Sequence, residues 1–280
     1  MAFSIRNHHL WRDGRSVEAV KARYDSGPFA RTPKILVVHF TGGSSGRSSA
    51  EWFRAPDNTA KSSAHLVIDR DGSVIQCVDF DTAANHAGRS SWRDLSGLNQ
   101  HAFGIELANW GDLYPYADGW YSEAGVRIAN PFMGVHKNGN PHGGAQPIGW
   151  EPYPEIQFAA LVEIVQRLVA TYGIDEIVGH DDVAPTRKWD PGPAFNMARL
   201  RYEVFGDRAG DGDVTRTVMP VSGLNLRRGP GTAFDTIRLL PQGTVVRPLE
   251  QNGLWLSVSV LDAAGEPVDT GWVHGAYLSP

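Results

Sequence analysis

The sequence predicts an α/β domain with a mixed central sheet flanked by helices, followed by a small all-β barrel domain. Strand patterns alternate with helical patterns as far as Phe205, which is typical of a layered α/β structure. Beyond the Gly- and Asp-rich run GDRAGDGD, short strand patterns broken by turn residues begin at Val214. A length of 280 residues also exceeds that of an ordinary single domain. We therefore expect one domain over residues 1–206 and a second over residues 214–280.

The first half of the larger domain is rich in strand patterns. The β-branched run KILVVHF predicts a buried strand that carries His39 near its end, and SSAEWFRAP predicts a short helix capped by Ser48 or Ser49. The alternating runs AHLVID and SVIQCVDF, joined by Arg-Asp-Gly, predict a hairpin. AFGIELAN predicts a further strand in which the side chain of Glu106 points away from the apolar face.

The second half of this domain contains the longest helical pattern. Apolar residues at helical spacing in IQFAALVEIVQRLVATY predict a helix that ends before Gly173. The strand pattern IDEIVGH then brings His180 to a strand end, and a last helix is expected near 196–205. Before the long helix, residues 110–148 are rich in Gly, Pro and aromatic residues without a period, so we expect an irregular insertion. One wall of a cleft is a candidate role for it, and its role is left open.

Composition excludes several classes of protein. A net charge of -5 and a pI near 6.0 argue against nucleic-acid binding, and no apolar run is long enough for insertion into a membrane. The one cysteine, Cys77, lies in a strand pattern and is expected to be a buried thiol without a disulfide. The N-terminus MAFSIRNHHLWRDGR lacks the apolar stretch of a signal peptide, which predicts a protein that is cytoplasmic as synthesised.

Three residues form a candidate zinc site. His39 and His180 end predicted strands, and Asp190 follows ten positions after His180. Two imidazoles and a carboxylate bind zinc tetrahedrally and leave one position for water or substrate. Taken singly, a histidine at a strand end is more often a polar cap and an Asp before Pro caps a turn. The prediction therefore depends on the combination of the three.

Five strings resemble the successive motifs of the zinc-dependent N-acetylmuramoyl-L-alanine amidases, whose fold is shared with peptidoglycan recognition proteins and amidase-type phage lysozymes. They are VVHFTGG, SAHLVIDRDG, NHAGRSSW, LNQHAFGIEL and GHDDVAPTRKWDPGPAF, and together they extend over roughly residues 31–204. The resemblance implies one Zn2+ per chain, held by His39, His180 and Asp190. It also implies hydrolysis of the amide bond between N-acetylmuramic acid and L-alanine.

The resemblance also implies roles for neighbouring residues. Glu106 matches the carboxylate that orients or deprotonates the zinc-bound water, and Lys188 matches the group that stabilises the oxyanion or assists the leaving amine. The alternatives are a solvated strand carboxylate and a surface lysine. The predicted substrate-binding residues are His65, His86, Asn99 and Arg187, against ordinary structural roles for each.

The C-terminal region resembles a bacterial Src-homology-3-like domain. LNLRRGPG, LPQGTVV, WLSV and GWVHGAYL fall in the order expected for that barrel. Trp255, Trp272 and Tyr277 are candidates for a groove that binds the cell wall, with core aromatic residues as the favoured alternative.

The expected partner is peptidoglycan or a muropeptide, and the oligomeric state is left open. The rival functions are a peptidoglycan recognition protein that binds without cutting and a zinc peptidase that acts on the stem peptide. The C-terminal module favours the intact wall as substrate, reached through a holin or a dedicated secretion route. Recycling of muropeptides in the cytosol is the alternative.

Overall fold

The chain divides into two units, one up to Phe195 and one from Asn196 onward. The computed structural model describes residues 2–205, 215–252 and 254–279. The predicted linker GDRAGDGD and the expected start of the second domain at residue 214 lie outside the described residues, so the predicted domain boundaries stay predictions.

Over its described residues 2–195, the first unit contains sixteen strands and three α-helices. In chain order they are β1 (Phe3–Arg6), β2 (His9–Arg12), β3 (Arg15–Ser16), β4 (Glu18–Ala19), β5 (Ile35–Phe40), α1 (Gly46–Arg54), β6 (Leu66–Ile68), β7 (Val74–Gln76), β8 (Ser91–Trp92), β9 (Leu95–Ser96), β10 (Ala102–Leu107), β11 (Tyr114–Tyr116), β12 (Gly119–Tyr121), β13 (Arg127–Ile128), β14 (Phe132–Gly134), β15 (Ile148–Trp150), α2 (Glu155–Tyr172), β16 (Glu176–Gly179) and α3 (His180–Val183).

Six of these strands form the central sheet, in the order β16-β5-β10-β6-β7-β4. Strands β16, β5, β10 and β6 run parallel, whereas β7 is antiparallel to β6, so the sheet is mixed. The apolar run of β5 lies at the centre, and every residue of it except Phe40 is buried. A strand covered on both faces needs such a continuous apolar sequence. The predicted mixed α/β fold and the β6–β7 hairpin are confirmed.

The long helix α2 contacts β1 and β6 and buries one apolar side, which includes Leu161, Val165 and Leu168. It ends before Gly173, which has φ of 68° and closes the helix in the left-handed conformation, as predicted. The predicted cap of α1 was wrong. Ser45 caps this helix, and the hydroxyl of Ser48 instead accepts a hydrogen bond from the Ser45 backbone in a capping box.

The insertion is more regular than its sequence suggests. Strands β11, β12 and β13 form a three-stranded antiparallel sheet, and β14 pairs with β15 in a hairpin. Strands of two or three residues are too short to produce a recognisable alternation of polar and apolar residues, which is why the sequence predicted an irregular segment.

The second unit contains α4 (Met197–Phe205), β17 (Arg216–Thr217), β18 (Leu224–Arg227), β19 (Thr236–Leu240), β20 (Val245–Asn252), β21 (Trp255–Leu261) and β22 (Pro267–His274). Its strands form one antiparallel sheet in the order β17-β20-β21-β22-β18-β19, which confirms the predicted all-β C-terminal region. The described core is aliphatic, including Leu226, Val258 and Val273. The favoured assignment of Trp255, Trp272 or Tyr277 to this core was wrong, because none of the three is buried.

In the described parts of both units, no helix has the length and apolar character needed to cross a membrane.

Candidate metal centre and cleft

The side chains of His39, His180 and Asp190 meet at the carboxyl edge of the central sheet. His39 is the next-to-last residue of β5, and His180 directly follows the neighbouring parallel strand β16. The Nδ1 atoms of the two histidines lie 2.9 Å apart, and each lies 2.9 Å from Oδ2 of Asp190. All three residues are buried. Within the described residues, no other group of three or more His, Cys, Asp or Glu side chains brings its potential ligand atoms so close.

Hydrogen bonds through His86 determine which nitrogen of His39 faces this cluster. Nε2 of His86 lies 3.1 Å from the carbonyl oxygen of Ala102, which only accepts, so this nitrogen carries the proton. Burial, followed by the proximity of His39, lowers the pKa of His86 well below 6.5, so the ring is neutral. Its Nδ1 therefore accepts a hydrogen bond from Nε2 of His39, at 3.0 Å. His39 presents an unprotonated Nδ1 to the cluster.

His180 has the same orientation through a different partner. Its Nε2 lies 3.1 Å from the carbonyl oxygen of Ala87 and donates to it, so Nδ1 is the nitrogen that faces the cluster. Burial, followed by the proximity of His180, lowers the pKa of His39 to about 4, so the His39 imidazole is neutral at pH 7.

Nδ1 of His39, Nδ1 of His180 and Oδ2 of Asp190, all potential metal ligands, thus lie within 2.9 Å of one another. Two imidazole nitrogens with one carboxylate oxygen suit zinc with an open position. The donor set of His39, His180 and Asp190 therefore fits the metal that the sequence predicts.

A glycine makes room for His86 beside the sheet. A Cβ added to Gly104 would lie 2.3 Å from Cγ of His86, so the imidazole packs directly against the backbone of β10. Two residues further along this strand is Glu106. The motif GIEL therefore provides both the flat surface for one imidazole and the carboxylate of the cleft.

Glu106 and Lys188 line a cleft of about 370 Å³ together with His180 and Asp190. Glu106 is paired with His39 across β10 and β5, and its Oε2 is buried without a hydrogen-bond partner among the described residues. Burial, followed by the charge of Asp190, raises the pKa of Glu106 well above 4.5, although Lys188 opposes the shift. A carboxyl group with a raised pKa beside a metal site is suited to proton transfer.

His65 does not line this cleft. Its ring is fully buried between backbone groups, because Nδ1 accepts from the N–H of Gly104 and Nε2 donates to the carbonyl of Thr82, both at 3.0 Å. Burial lowers the pKa of His65 to about 4. With both ring nitrogens engaged, the position of His65 gives no support to the predicted contact with substrate.

Asn99 and Arg187 are also outside the cleft lining, whereas His86 belongs to it. Oδ1 of Asn99 accepts from the backbone N–H groups of His86 and Ala87, at 3.1 and 2.7 Å. The guanidinium of Arg187 donates to the carbonyls of Ala87 and Arg89. Both side chains thus hold residues 86–89 in place. This segment contacts His39 through the His86 ring and His180 through the carbonyl of Ala87. Substrate binding by His86, Asn99 and Arg187 stays a prediction.

The sequence did not identify most of the polar rim of the cleft. Its hydroxyl and amide groups come from Thr41, Ser48, Ser49, Ser62, Ser63 and Asn85. In sequence, a serine that lines a cleft looks the same as one that caps a helix. Trp52 also lines the cleft and is 43% exposed. In α1, Ala50 and Phe53 are buried and Trp52 is not. An aromatic residue off the apolar side of the predicted helix was therefore the sequence signal for Trp52.

Matches to known families agree with this geometry. The model of one family, described as N-acetylmuramoyl-L-alanine amidase, matches residues 29–193, which is more than half of the chain. The chain belongs to the N-acetylmuramoyl-L-alanine amidase family. The matched region of this amidase contains His39, Glu106, His180, Lys188 and Asp190. A bacterial SH3 domain model matches residues 222–279. The predicted family and the predicted enzyme class are confirmed.

Among curated proteins, the amidase is similar to two groups of bacterial enzymes. It is 31% identical to the 1,6-anhydro-N-acetylmuramyl-L-alanine amidase AmpD of Enterobacter cloacae, over 63% of this chain and 83% of the relative. It is 30% identical to the N-acetylmuramoyl-L-alanine amidase AmiD of Escherichia coli strain K12, over 74% of this chain and 63% of the relative.

Solved structures of similar proteins include a selenomethionine derivative of AmpD, with 28% identity, a TM-score of 0.48 and coverage of 69% of this chain and 96% of that one. AmiD from E. coli, in complex with the substrate anhydro-N-acetylmuramic acid-L-Ala-D-gamma-Glu-L-Lys, has 25% identity and a TM-score of 0.45. That match covers 72% of this chain and 65% of AmiD.

Proposed function

We propose that this amidase hydrolyses the bond between N-acetylmuramic acid and L-alanine with one zinc ion held by His39, His180 and Asp190. The observation that carries the proposal is the convergence of three potential ligand atoms at 2.9 Å in a cleft that Glu106 also lines, with one buried oxygen of Glu106 lacking a hydrogen-bond partner among the described residues. When bound, zinc supplies a Lewis acid for the scissile carbonyl and lowers the pKa of a water molecule towards about 7.

Glu106 is the proton carrier in this proposal. Its buried Oε2 has no hydrogen bond to another described residue, so it is available to accept a proton from the attacking water. Because burial raises the pKa of Glu106, the carboxyl group holds that proton long enough to deliver it to the departing amine of L-alanine.

Lys188 provides positive charge in the same cleft. It lines the cleft with Glu106 and Asp190, and its charge acts on Glu106 and on His39. An ammonium group fixed here stabilises the negative charge that develops on the carbonyl oxygen in the tetrahedral transition state. Hydrolysis then needs no covalent bond between the substrate and the enzyme.

The proposed substrate is the peptidoglycan of the wall, with soluble muropeptides as the alternative because they contain the same bond. AmiD is described in complex with an anhydromuropeptide, so a soluble substrate is compatible with this family. The C-terminal unit favours the polymer. There, the ring of His274 lies 5.3 Å, between centroids, from the ring of Trp255 and from that of Tyr277, and Tyr277 is 50% exposed. Exposed aromatic rings of this kind suit contact with sugars or peptides.

The test is digestion of purified sacculi and, separately, of a soluble anhydromuropeptide, with mass spectrometry of the products. We expect stem peptides that begin with L-alanine, loss of activity after treatment with a chelator and recovery with zinc. Release from sacculi identifies the polymer as substrate, whereas release from the anhydromuropeptide alone indicates recycling. Cleavage within the stem peptide would identify a peptidase, and binding without any cleavage a recognition protein.

Glu106→Gln tests the proton carrier. Its activity should fall at least about 100-fold because the amide cannot accept a proton, while its zinc content should equal that of the wild type. Glu123→Gln, at an exposed position of the insertion, is the matched control and should retain full activity. An active Glu106→Gln enzyme would rule out this role.

A further inference from the structure

The insertion contacts residues 180–190, here called the ligand loop, which begins with the short helix α3 and carries two of the proposed zinc ligands. Strands β14 and β15 form a hairpin, and the chain between them includes residues 136–139. These four residues form hydrogen bonds or ion pairs with Asp181, Asp182 and Trp189. Asp181 directly follows His180, and Trp189 directly precedes Asp190.

The central contact is buried and has a defined direction. His136 is 2% exposed and Asp181 is 5% exposed. Nδ1 of His136 accepts from the backbone N–H of Asn138 at 3.0 Å, so the proton of the ring lies on Nε2. Nε2 in turn donates to Oδ2 of Asp181, at 3.0 Å. Nζ of Lys137 lies 3.1 Å from Oδ1 of the same carboxylate. Because a buried carboxylate is costly without partners, the contacts with His136 and Lys137 together favour one position of Asp181.

Asp181 transmits this restraint to both ends of the ligand loop. Its backbone N–H donates to the carbonyl of Asp190 at 2.8 Å, which ties the start of the loop to its end. Asn138 donates from Nδ2 to the carbonyl of Asp181 at 2.8 Å, and the indole N–H of Trp189 donates to the carbonyl of Gly139 at 3.0 Å. The insertion therefore holds the loop at Asp181 and at Trp189, the immediate neighbours of two ligands.

The base of the hairpin packs against the same loop. Trp150 is 1% exposed, and its ring lies 5.8 Å from that of His136. A Cβ added to Gly192 would lie 3.0 Å from the Trp150 ring, so the backbone just after Asp190 runs against this indole. A fixed aromatic surface thus supports the hydrogen bonds on one side.

We propose that the insertion is a positioning element for the metal site, in which its residues 136–139, together with Trp150 at the end of the β14–β15 hairpin, clamp the loop between His180 and Asp190 in the geometry that binds zinc. His136 is its main positioning residue and acts through Asp181. The proposal rests on the proposed zinc site, and it assigns to the insertion a role separate from any contact with substrate.

The test measures zinc affinity of the full-length protein by competition with a chromogenic chelator. His136→Ala should bind zinc at least about tenfold more weakly, which is typical for loss of a group that supports metal ligands. His136→Gln keeps an N–H donor near Nε2 and should recover most of the affinity. The matched control is His142→Ala, which removes a half-exposed histidine of the same insertion that pairs with Asp112 at 2.7 Å. It should bind zinc like the wild type.

Two further measurements separate positioning from general stability. The absorption spectrum of the cobalt-substituted protein should change in His136→Ala and return in His136→Gln, because it reports the ligand geometry. Amide hydrogen exchange of the metal-free protein should become faster at residues 179–190 in His136→Ala. Wild-type zinc affinity and wild-type exchange at these residues would overturn the proposal.

Milder variants keep the test decisive if His136→Ala does not fold. Asn138→Ala changes an exposed side chain, and Trp189→Phe removes one N–H donor but keeps an aromatic ring. Together they should weaken zinc binding and increase exchange at residues 179–190, and unchanged values in the double variant would contradict the clamp. If the wild type binds no zinc, the proposed function fails, and exchange in the metal-free protein still decides whether the insertion restrains the loop.

Discussion

At the scale of single residues, the partners of the ring nitrogens distinguish the histidines of the first unit. His39 and His180 each donate from Nε2 and turn Nδ1 towards Asp190. His65 uses both nitrogens for backbone groups and lies in the core. His86 joins the cleft to the sheet, since it accepts from His39 and donates to a carbonyl of β10. Their chemical roles follow from these hydrogen bonds rather than from residue type.

Replacement of His86 should weaken zinc binding because His39 would lose the acceptor that fixes its protonated nitrogen. We expect zinc affinity to fall about 10- to 100-fold in His86→Phe, which keeps a flat ring but has no acceptor. His86→Asn places an oxygen near the position of Nδ1 and should lose less. Chelator competition measures both variants. Unchanged zinc affinity with weakened substrate binding would instead support the role predicted for His86 from the sequence.

The thiol of Cys77 should be unreactive in the folded protein. It is 2% exposed, and burial raises its pKa to about 12, so almost no thiolate is present near neutral pH. We expect no labelling by a thiol reagent until denaturant is added, with one thiol titrated afterwards. Rapid labelling of the native protein would show that the strand next to Cys77 opens.

At the scale of elements, the predictions made from the strongest sequence patterns were correct. The patterns of β5 and α2 extend over enough residues for periodicity and end signals to agree. The insertion and the start of α1 were mispredicted for a different reason. Short strands have no period. At the start of α1, a reciprocal pair of hydrogen bonds makes Ser45 the cap and Ser48 its partner.

The end of α2 provides a test of an element. Gly173 has φ of 68°, which disfavours any residue with a Cβ, so Gly173→Ala should lower the free energy of unfolding by about 1 kcal/mol. Gly173→Asn should lower it less because asparagine tolerates this conformation. Urea denaturation gives the values, and zinc affinity should be unchanged in both variants. Equal stability of Gly173→Ala and the wild type would mean that the helix end rearranges without cost.

At the scale of the whole molecule, the α/β unit concentrates neutral histidines in its interior, and this should make the metal-free protein sensitive to acid. His65 has a pKa of about 4 when folded, against 6.5 as its ordinary value. As the pH falls below 6.5, the unfolded chain binds this proton first, so stability decreases towards pH 4. For His65 alone, the full loss is about 3 kcal/mol.

Urea denaturation of the chelator-treated protein from about pH 7 to about pH 4.5 measures this effect. His65→Phe should be less stable than the wild type at neutral pH, because Thr82 and Gly104 lose a hydrogen-bond partner. It should nevertheless lose less stability on acidification. A variant with the same acid dependence as the wild type would show that other groups cause it.

The sequence by itself determined the family, the main strands and the long helix, and the residue types of the cluster His39, His180 and Asp190. These follow from patterns and motifs within short stretches of chain. Tertiary structure decided which nitrogen of each histidine faces the cluster, the burial of His65, and the contact of the insertion with the ligand loop. The deciding hydrogen bonds join residues 47 positions apart for His39 and His86, 93 for His180 and Ala87, and 45 for His136 and Asp181. A hydrogen bond between distant positions leaves no local period in the sequence, so only the folded chain specifies it.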